Sequence, residues 1–143
     1  MGYYAVIDTN VLVSALLSSK DDAATVRVLG LVFNNFVTPL FSSETYTEYE
    51  EVLARPKFKF DPDEIAFVLT AIKEKGVLVN PSRTNVVLPD MKDLPFYEIV
   101  MDKRVDGAYL VTGNKKHFTA EQFIVTPAEF MKIIEDDLIK YTS

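Results

Sequence analysis

The 143-residue chain has no cysteine, which excludes disulfides and thiolate chemistry. It has a single histidine, His117, so one copy cannot build a His-rich zinc or iron site. Positive charge is scarce: 15 Lys and Arg stand against 21 Asp and Glu, for a net charge of −6. That balance is wrong for a protein that grips nucleic acid through its overall field, although it leaves room for a local basic patch beside an acidic site. No apolar run approaches the length of a membrane span, and the N-terminus carries no basic, cleavable leader pattern. The expectation is a soluble cytoplasmic protein with no membrane partner. Internal repeats, low-complexity tracts and Gly-, Pro- or Ser-rich linkers are missing, so a single domain over residues 1–143 is expected.

Apolar residues are plentiful, at 48% of the chain, and they fall into short runs. Tyr3–Ile7, Phe36–Pro39, Val77–Val79, Tyr109–Thr112 and Phe123–Val125 read as strands. Helical patterns lie between them. Asn10–Leu17 is one. Ala23–Phe33 is another, with Val26, Leu29, Gly30 and Phe33 on its apolar face. A third starts at the cap Ser42, carries Tyr46, Tyr49 and Leu53 inward, and ends at Arg55-Pro56. Asp61-Pro62-Asp63-Glu64 opens a fourth, with Ile65, Val68, Leu69 and Ile72 at helical spacing and Gly76 as its stop. Residues 80–92 read as loop, Pro95–Lys103 as a short helix with Phe96, Ile99 and Val100 inward. Thr126 caps a last helix that carries Phe130, Ile133 and Ile134. Strands alternating with helices predict an α/β fold with a parallel sheet covered on both faces. In such sheets functional groups gather at the carboxyl ends of the strands. Asp8 follows the first strand, and Thr112 and Asn114 follow the fourth.

Three acidic groups are candidates for a shared site: Asp8, the helical row Glu44, Glu48 and Glu51, and the pair Asp90 and Asp93. Asp8 could simply cap the following helix, the glutamates could form a solvated face, and Asp93 could serve the helix dipole. Glu48 lies nearer the apolar border of its helix than Glu51 and is preferred on that ground. If the groups converge, carboxylates a few ångströms apart repel, and one must protonate unless a cation neutralises them. Oxygen-only ligation favours Mg²⁺ or Mn²⁺. The chemistry that fits is metal-assisted hydrolysis of a phosphodiester.

The segments VIDTNVLVSAL, SSETYTEYEEVLARPKF and DLPFYEIV…AYLVTGNKKHF together resemble the PIN domain family, and in particular the VapC-like toxin components of bacterial and archaeal toxin–antitoxin systems. The resemblance runs from about Tyr3 to Phe130. It implies a three-layer α/β/α sandwich around a mainly parallel twisted sheet, and a Mg²⁺- or Mn²⁺-dependent ribonuclease. Carried over by motif, Asp8, Glu48 and Asp93 are the acidic residues that ligate metal and catalyse. Asn114 stands where many members have aspartate, which implies a weaker metal site or one ion in place of two. Thr9, Asn10 and Thr112 would orient Asp8 and bound water. A small antitoxin protein and a homodimer are implied by the same analogy.

RNA has two basic stretches available. Arg55 and Lys57 follow the glutamate helix beside Phe58 and Phe60, whose rings could stack bases or turn into the core; the core is favoured for both. Lys115 and Lys116 follow the fourth strand, with His117 read as a structural or surface residue. Rival readings fare worse. A haloacid-dehalogenase-type phosphatase needs a second Asp where Asn10 stands, a receiver domain needs a different spacing, and a dinucleotide fold needs a glycine-rich first turn. The alternative within the family is a catalytically weakened PIN-fold module that binds RNA or protein.

Overall fold

A computed structural model describes residues 2–142. Five strands, β1 (Tyr3–Ile7), β2 (Val37–Phe41), β3 (Val77–Leu78), β4 (Tyr109–Val111) and β5 (Ile124–Val125), form one sheet in the order β3-β2-β1-β4-β5. Every pairing is parallel. Six helices flank it: α1 (Thr9–Leu17), α2 (Ala24–Phe33), α3 (Ser43–Leu53), α4 (Pro62–Lys75), α5 (Leu94–Asp102) and α6 (Pro127–Thr142). This is the expected three-layer α/β architecture. Short 3₁₀ turns at Met91–Asp93, Arg104–Asp106 and Lys115–His117 lie in segments that the sequence pattern left as helix ends or loop.

The strands are short and covered on both faces. Ala5, Val6 and Ile7, with Leu110, Val111, Ile124 and Val125, are buried outright, as a doubly covered parallel sheet demands. Helix α5 crosses β1, β2 and β4, while α2 packs on β2 and against α1, α4 and α6. Helix starts follow local chemistry. Ser42 and Thr45 form a reciprocal capping box at α3, Asp61 accepts from the Asp63 N–H before α4, and Thr126 and Glu129 exchange backbone-to-side-chain bonds before α6.

Two local expectations need correction. The buried face of α2 is Val28, Leu29 and Val32, whereas Gly30 is exposed. The helix packs against three other helices as well as β2, which rotates the buried arc away from Gly30. Second, β2 runs on past Pro39 to Phe41. The missing N–H of Pro39 is tolerated within the sheet, and pairing resumes on the β3 side at Leu40 and Phe41. Gly76 ends α4 as expected, with φ −93° and so without a left-handed turn. A Cβ there would meet the backbone oxygens of Ile72 and Pro39 at 2.4 Å. Glycine is required by close approach of two backbones rather than by handedness.

Strand order reverses next to β1: β2 and β3 lie on one side of it, β4 and β5 on the other. Ligand sites in open α/β sheets form at that switch point, outside the carboxyl ends of the strands. Asp8 and Thr112 both stand there.

Gly76→Ala is expected to destabilise the fold by roughly 1–3 kcal/mol through forced backbone displacement. A urea titration checks this; an unchanged midpoint would show that the approach of α4 to β2 is not tight.

Candidate active site

Asp8 follows β1 directly. Its backbone N–H bonds to the Val111 carbonyl at 2.9 Å, so β4 holds its position. Its side chain is only 5% exposed. The Thr112 hydroxyl donates to Oδ2 at 2.7 Å and the Asn10 amide donates to the same oxygen at 3.3 Å. Asp8 is the N-cap residue of α1, yet its side chain makes no capping hydrogen bond to that helix. Burial raises the affinity of this carboxyl for its proton; the Thr112 hydroxyl, the nearby N–H dipoles of Thr9 and Asn10, and the charge of His117 work against that rise.

Glu48 arrives from α3. The Thr9 hydroxyl donates to its Oε2, which ties α3 to the residue after Asp8. Burial raises its pKa, and the negative charge of Asp8 raises it further, while Arg55 and Lys92 lower it. The helix is aimed by Tyr49, whose ring is fully buried against Phe96 of α5, with a 6.0 Å centroid separation. Its hydroxyl donates to the Ile7 carbonyl, beyond the last β1–β2 pair at Ala5 and Pro39. Glu44 instead pairs with Arg83 at 2.9 Å, and Glu51 is exposed. Among the three glutamates, Glu48 is the one that faces Asp8.

Asp93 closes the 3₁₀ turn ahead of α5. Its Oδ2 is buried without a hydrogen bond, and His117 Nδ1 stands 3.4 Å away. Burial first, then the charges of Asp8, Asp90 and Glu48, push its pKa up from 3.8 to about 6, against an opposing pull from His117. Asp90 is exposed and caps the turn by accepting from the Lys92 N–H.

The remaining candidates separate. The Asn114 N–H donates to the Thr112 hydroxyl at 3.1 Å, and the residue lines a neighbouring cleft of about 250 Å³ with Asn10, Ser14 and Gly113. Its side chain makes no hydrogen bond to the three carboxylates among the described residues. Lys115 pairs with Glu129 at 3.0 Å, which holds that carboxylate below its usual range together with the Thr126 N–H. Lys116 is exposed, and Lys57 lies over the Phe58 ring at 5.1 Å. Phe60 packs on the core as expected, whereas half-buried Phe58 stacks on Phe60. His117, expected to be a structural or surface residue, is partly exposed and faces Asp93.

Two contributors escaped the sequence reading. Lys92 adds positive charge near Glu48. Glu98, 2% exposed, accepts from the Thr84 N–H at 2.8 Å and meets Arg83 at 3.6 Å. It thereby ties the long loop before Asp93 to α5. The signal was present: Glu98 is the one charge in the run Phe96-Tyr97-Glu98-Ile99-Val100.

Asp8, Glu48 and Asp93 thus come from the end of β1, the middle of α3 and the start of α5; Glu48 feels the charge of Asp8, and Asp93 feels both. The family model of the PIN domain matches residues 4–116, which include all three. The chain belongs to the PIN domain family. An uncharacterized protein of Methanocaldococcus jannaschii is also similar, at 27% identity over 113 residues that cover 77% of this chain and 70% of that relative. PIN domains are generally nucleases and typically use divalent metals, so a hydrolase role follows at that level.

Metal fit can be judged on the side chains. Among the described residues, no group of three or more His, Asp or Glu side chains forms a ready-made cation cluster. The chemistry of the donors nevertheless fits a hard divalent cation: three carboxylates, neutral oxygens from Thr and Asn, and a buried Asp93 oxygen without a donor.

The raised pKa of Asp93 sets a sign for stability. Its proton is held more tightly in the folded chain than in the unfolded one, so its contribution declines as pH rises from about 4 through about 6. Asp8 and Glu48 act in the same direction. In metal-free buffer the thermal midpoint is expected to fall between pH 5 and pH 7, and Asp93→Asn is expected to raise the midpoint at pH 7 and flatten the profile. A wild-type midpoint that climbs over that interval contradicts the burial and repulsion described.

Proposed function

We propose that this PIN domain is a metal-dependent endoribonuclease that hydrolyses RNA phosphodiesters. The observation that carries the reading is the convergence of Asp8, Glu48 and Asp93 at the switch point, each with a proton affinity raised by burial, with Asp8 raising that of Glu48 further and both raising that of Asp93. Such a group of acids has little use to a purely structural site.

Asp8, Asp93 and Glu48 would hold Mg²⁺ or Mn²⁺, which when bound supplies positive charge, polarises a phosphate oxygen and makes a bound water more acidic. The chain's own groups do the positioning. Thr112 and Asn10 hold Asp8 through Oδ2. Thr9 engages Oε2 of Glu48, leaving Oε1 to orient the attacking water and accept its proton. Asn114 adds a neutral amide beside Thr112 in place of a further charge. Water adds across a phosphorus–oxygen bond, leaving phosphate on one RNA fragment and hydroxyl on the other. Arg55 and Lys57 after α3, and Lys116 after β4, attract the backbone in a salt-dependent manner, whereas Lys115 is already paired with Glu129.

At a finer level the reading extends to the toxin of a toxin–antitoxin pair acting in the cytoplasm as a homodimer. An acidic cluster of this kind suits neutralisation by a small antitoxin that inserts a basic side chain. A second reading, a weakened RNA- or protein-binding module, draws on Asn114 and on the lack of a ready-made cation cluster.

Asp8→Asn is expected to abolish Mn²⁺-supported cleavage of a labelled RNA while circular dichroism stays unchanged. Full activity in the purified variant would remove Asp8 from the mechanism. Wild-type cleavage should rise with pH through about 6, as Asp93 ionises. Mn²⁺ at a hundred times its Kd is expected to stabilise wild type by about 2.7 kcal/mol, seen as a higher thermal midpoint, and to leave Asp93→Ala unmoved. Calorimetry showing no Mn²⁺ binding to wild type would favour the second reading.

A further inference from the structure

The segment after α3 carries a feature that the carboxylate cluster does not use. Arg55, Lys57 and Lys59 stand close together in a chain of net charge −6, and none forms an ion pair among the described residues. Lys59 has φ +54°, a left-handed conformation that costs a residue with a Cβ. Around that turn, Phe58 and Phe60 lie ring on ring, with centroids 5.2 Å apart and planes 10° from parallel.

Beside Phe60 a cleft of about 420 Å³ opens between the end of α3 and α4. Its apolar walls include Leu53, Phe60, Ile65 and Leu69, and Arg55 and Lys59 also line it. Volume of this order accommodates small planar ligands. An apolar slot edged by two unpaired cations complements one chemical object well: a flat, weakly polar ring attached to a phosphate. Single-strand binding sites combine these same elements, cations for the backbone and an aromatic surface for the base. An acidic peptide would satisfy the cations but would leave the slot without a matching group.

Position adds a second argument. Arg55 lies near enough to Glu48 to favour its ionised form. Arg55 thus lines the cleft and also acts on a carboxylate of the candidate site.

We propose that the cleft between α3 and α4 is a nucleobase subsite for single-stranded RNA, with the base against Phe60 and flanking phosphates on Arg55 and Lys59. The assignment rests on the nuclease reading and names a substrate contact for it. The strained turn at Lys59 keeps the cation at the mouth of the slot while Phe60 roots the loop in the core.

The test is fluorescence anisotropy in metal-free buffer, comparing single-stranded RNA of about 12 nucleotides with an abasic ribose-phosphate strand of equal length. Wild type is expected to bind the RNA roughly 10-fold more tightly than the abasic strand. Ala66→Phe, from the exposed face of α4 that lines the cleft, is expected to fill the slot and erase that preference. Arg55→Ala with Lys59→Ala is expected to flatten the salt dependence of log Kd by about 1.4. Equal binding of the two strands by wild type overturns the assignment, as does a preference that survives in folded Ala66→Phe. Should that variant fail to fold, the abasic comparison on wild type and the salt slope of the double variant still decide. Cleavage of RNA in Mn²⁺ together with base-indifferent binding would sink the subsite and leave the nuclease reading standing. Base-dependent binding without any cleavage would do the reverse.

Discussion

Placing Asp8 at the carboxyl end of β1 removes a carboxylate from water, and that loss must be offset locally. Thr112, just after β4, and Asn10 from α1 supply hydrogen bonds, and the N–H dipoles at the start of α1 supply partial charge. Bringing Glu48 and Asp93 toward the same point adds repulsion that those dipoles do not remove. The arrangement is held against its own charge by the packing beneath it, and the strain is relieved only by protons or by a cation.

Packing explains why the acids stay in place. Tyr49 is buried against Phe96 and bonds to the Ile7 carbonyl, so the helix that carries Glu48 is fastened to the strand that carries Asp8. Glu98 fastens the loop ahead of Asp93 to α5 through the Thr84 N–H. Each acidic residue therefore has a partner, one step removed, that fixes its element. Truncating those partners acts on the site by moving the elements.

Much of the fold could be read from the order of residues. Apolar runs of strand length alternating with capped helices implied the parallel sheet, and Ser42, Asp61 and Thr126 marked helix starts where they occur. What stayed hidden is decided by a second chain segment, beginning with the reason for a glycine at the end of α4. Gly76 is spared a side chain by the Pro39 backbone, which lies far off in sequence. Gly30 left the buried face of α2 because three other helices set its rotation. Glu98 was passed over because an inward charge is legible only once the Thr84 N–H and Arg83 are seen to meet it.

Residue order alone determined the chemistry on offer: no thiols, one imidazole, oxygen donors in excess, and an aspartate trapped between two apolar segments. Those properties are local, since they follow from which side chains exist and from their spacing along one strand or helix. Tertiary structure decided which acids share a field, that Glu48 rather than Glu44 or Glu51 faces Asp8, that Lys115 is spent on Glu129, and that His117 looks at Asp93. Electrostatic coupling and burial depend on distance through space, and the strand crossovers that set those distances join residues as far apart as Asp8 and Thr112.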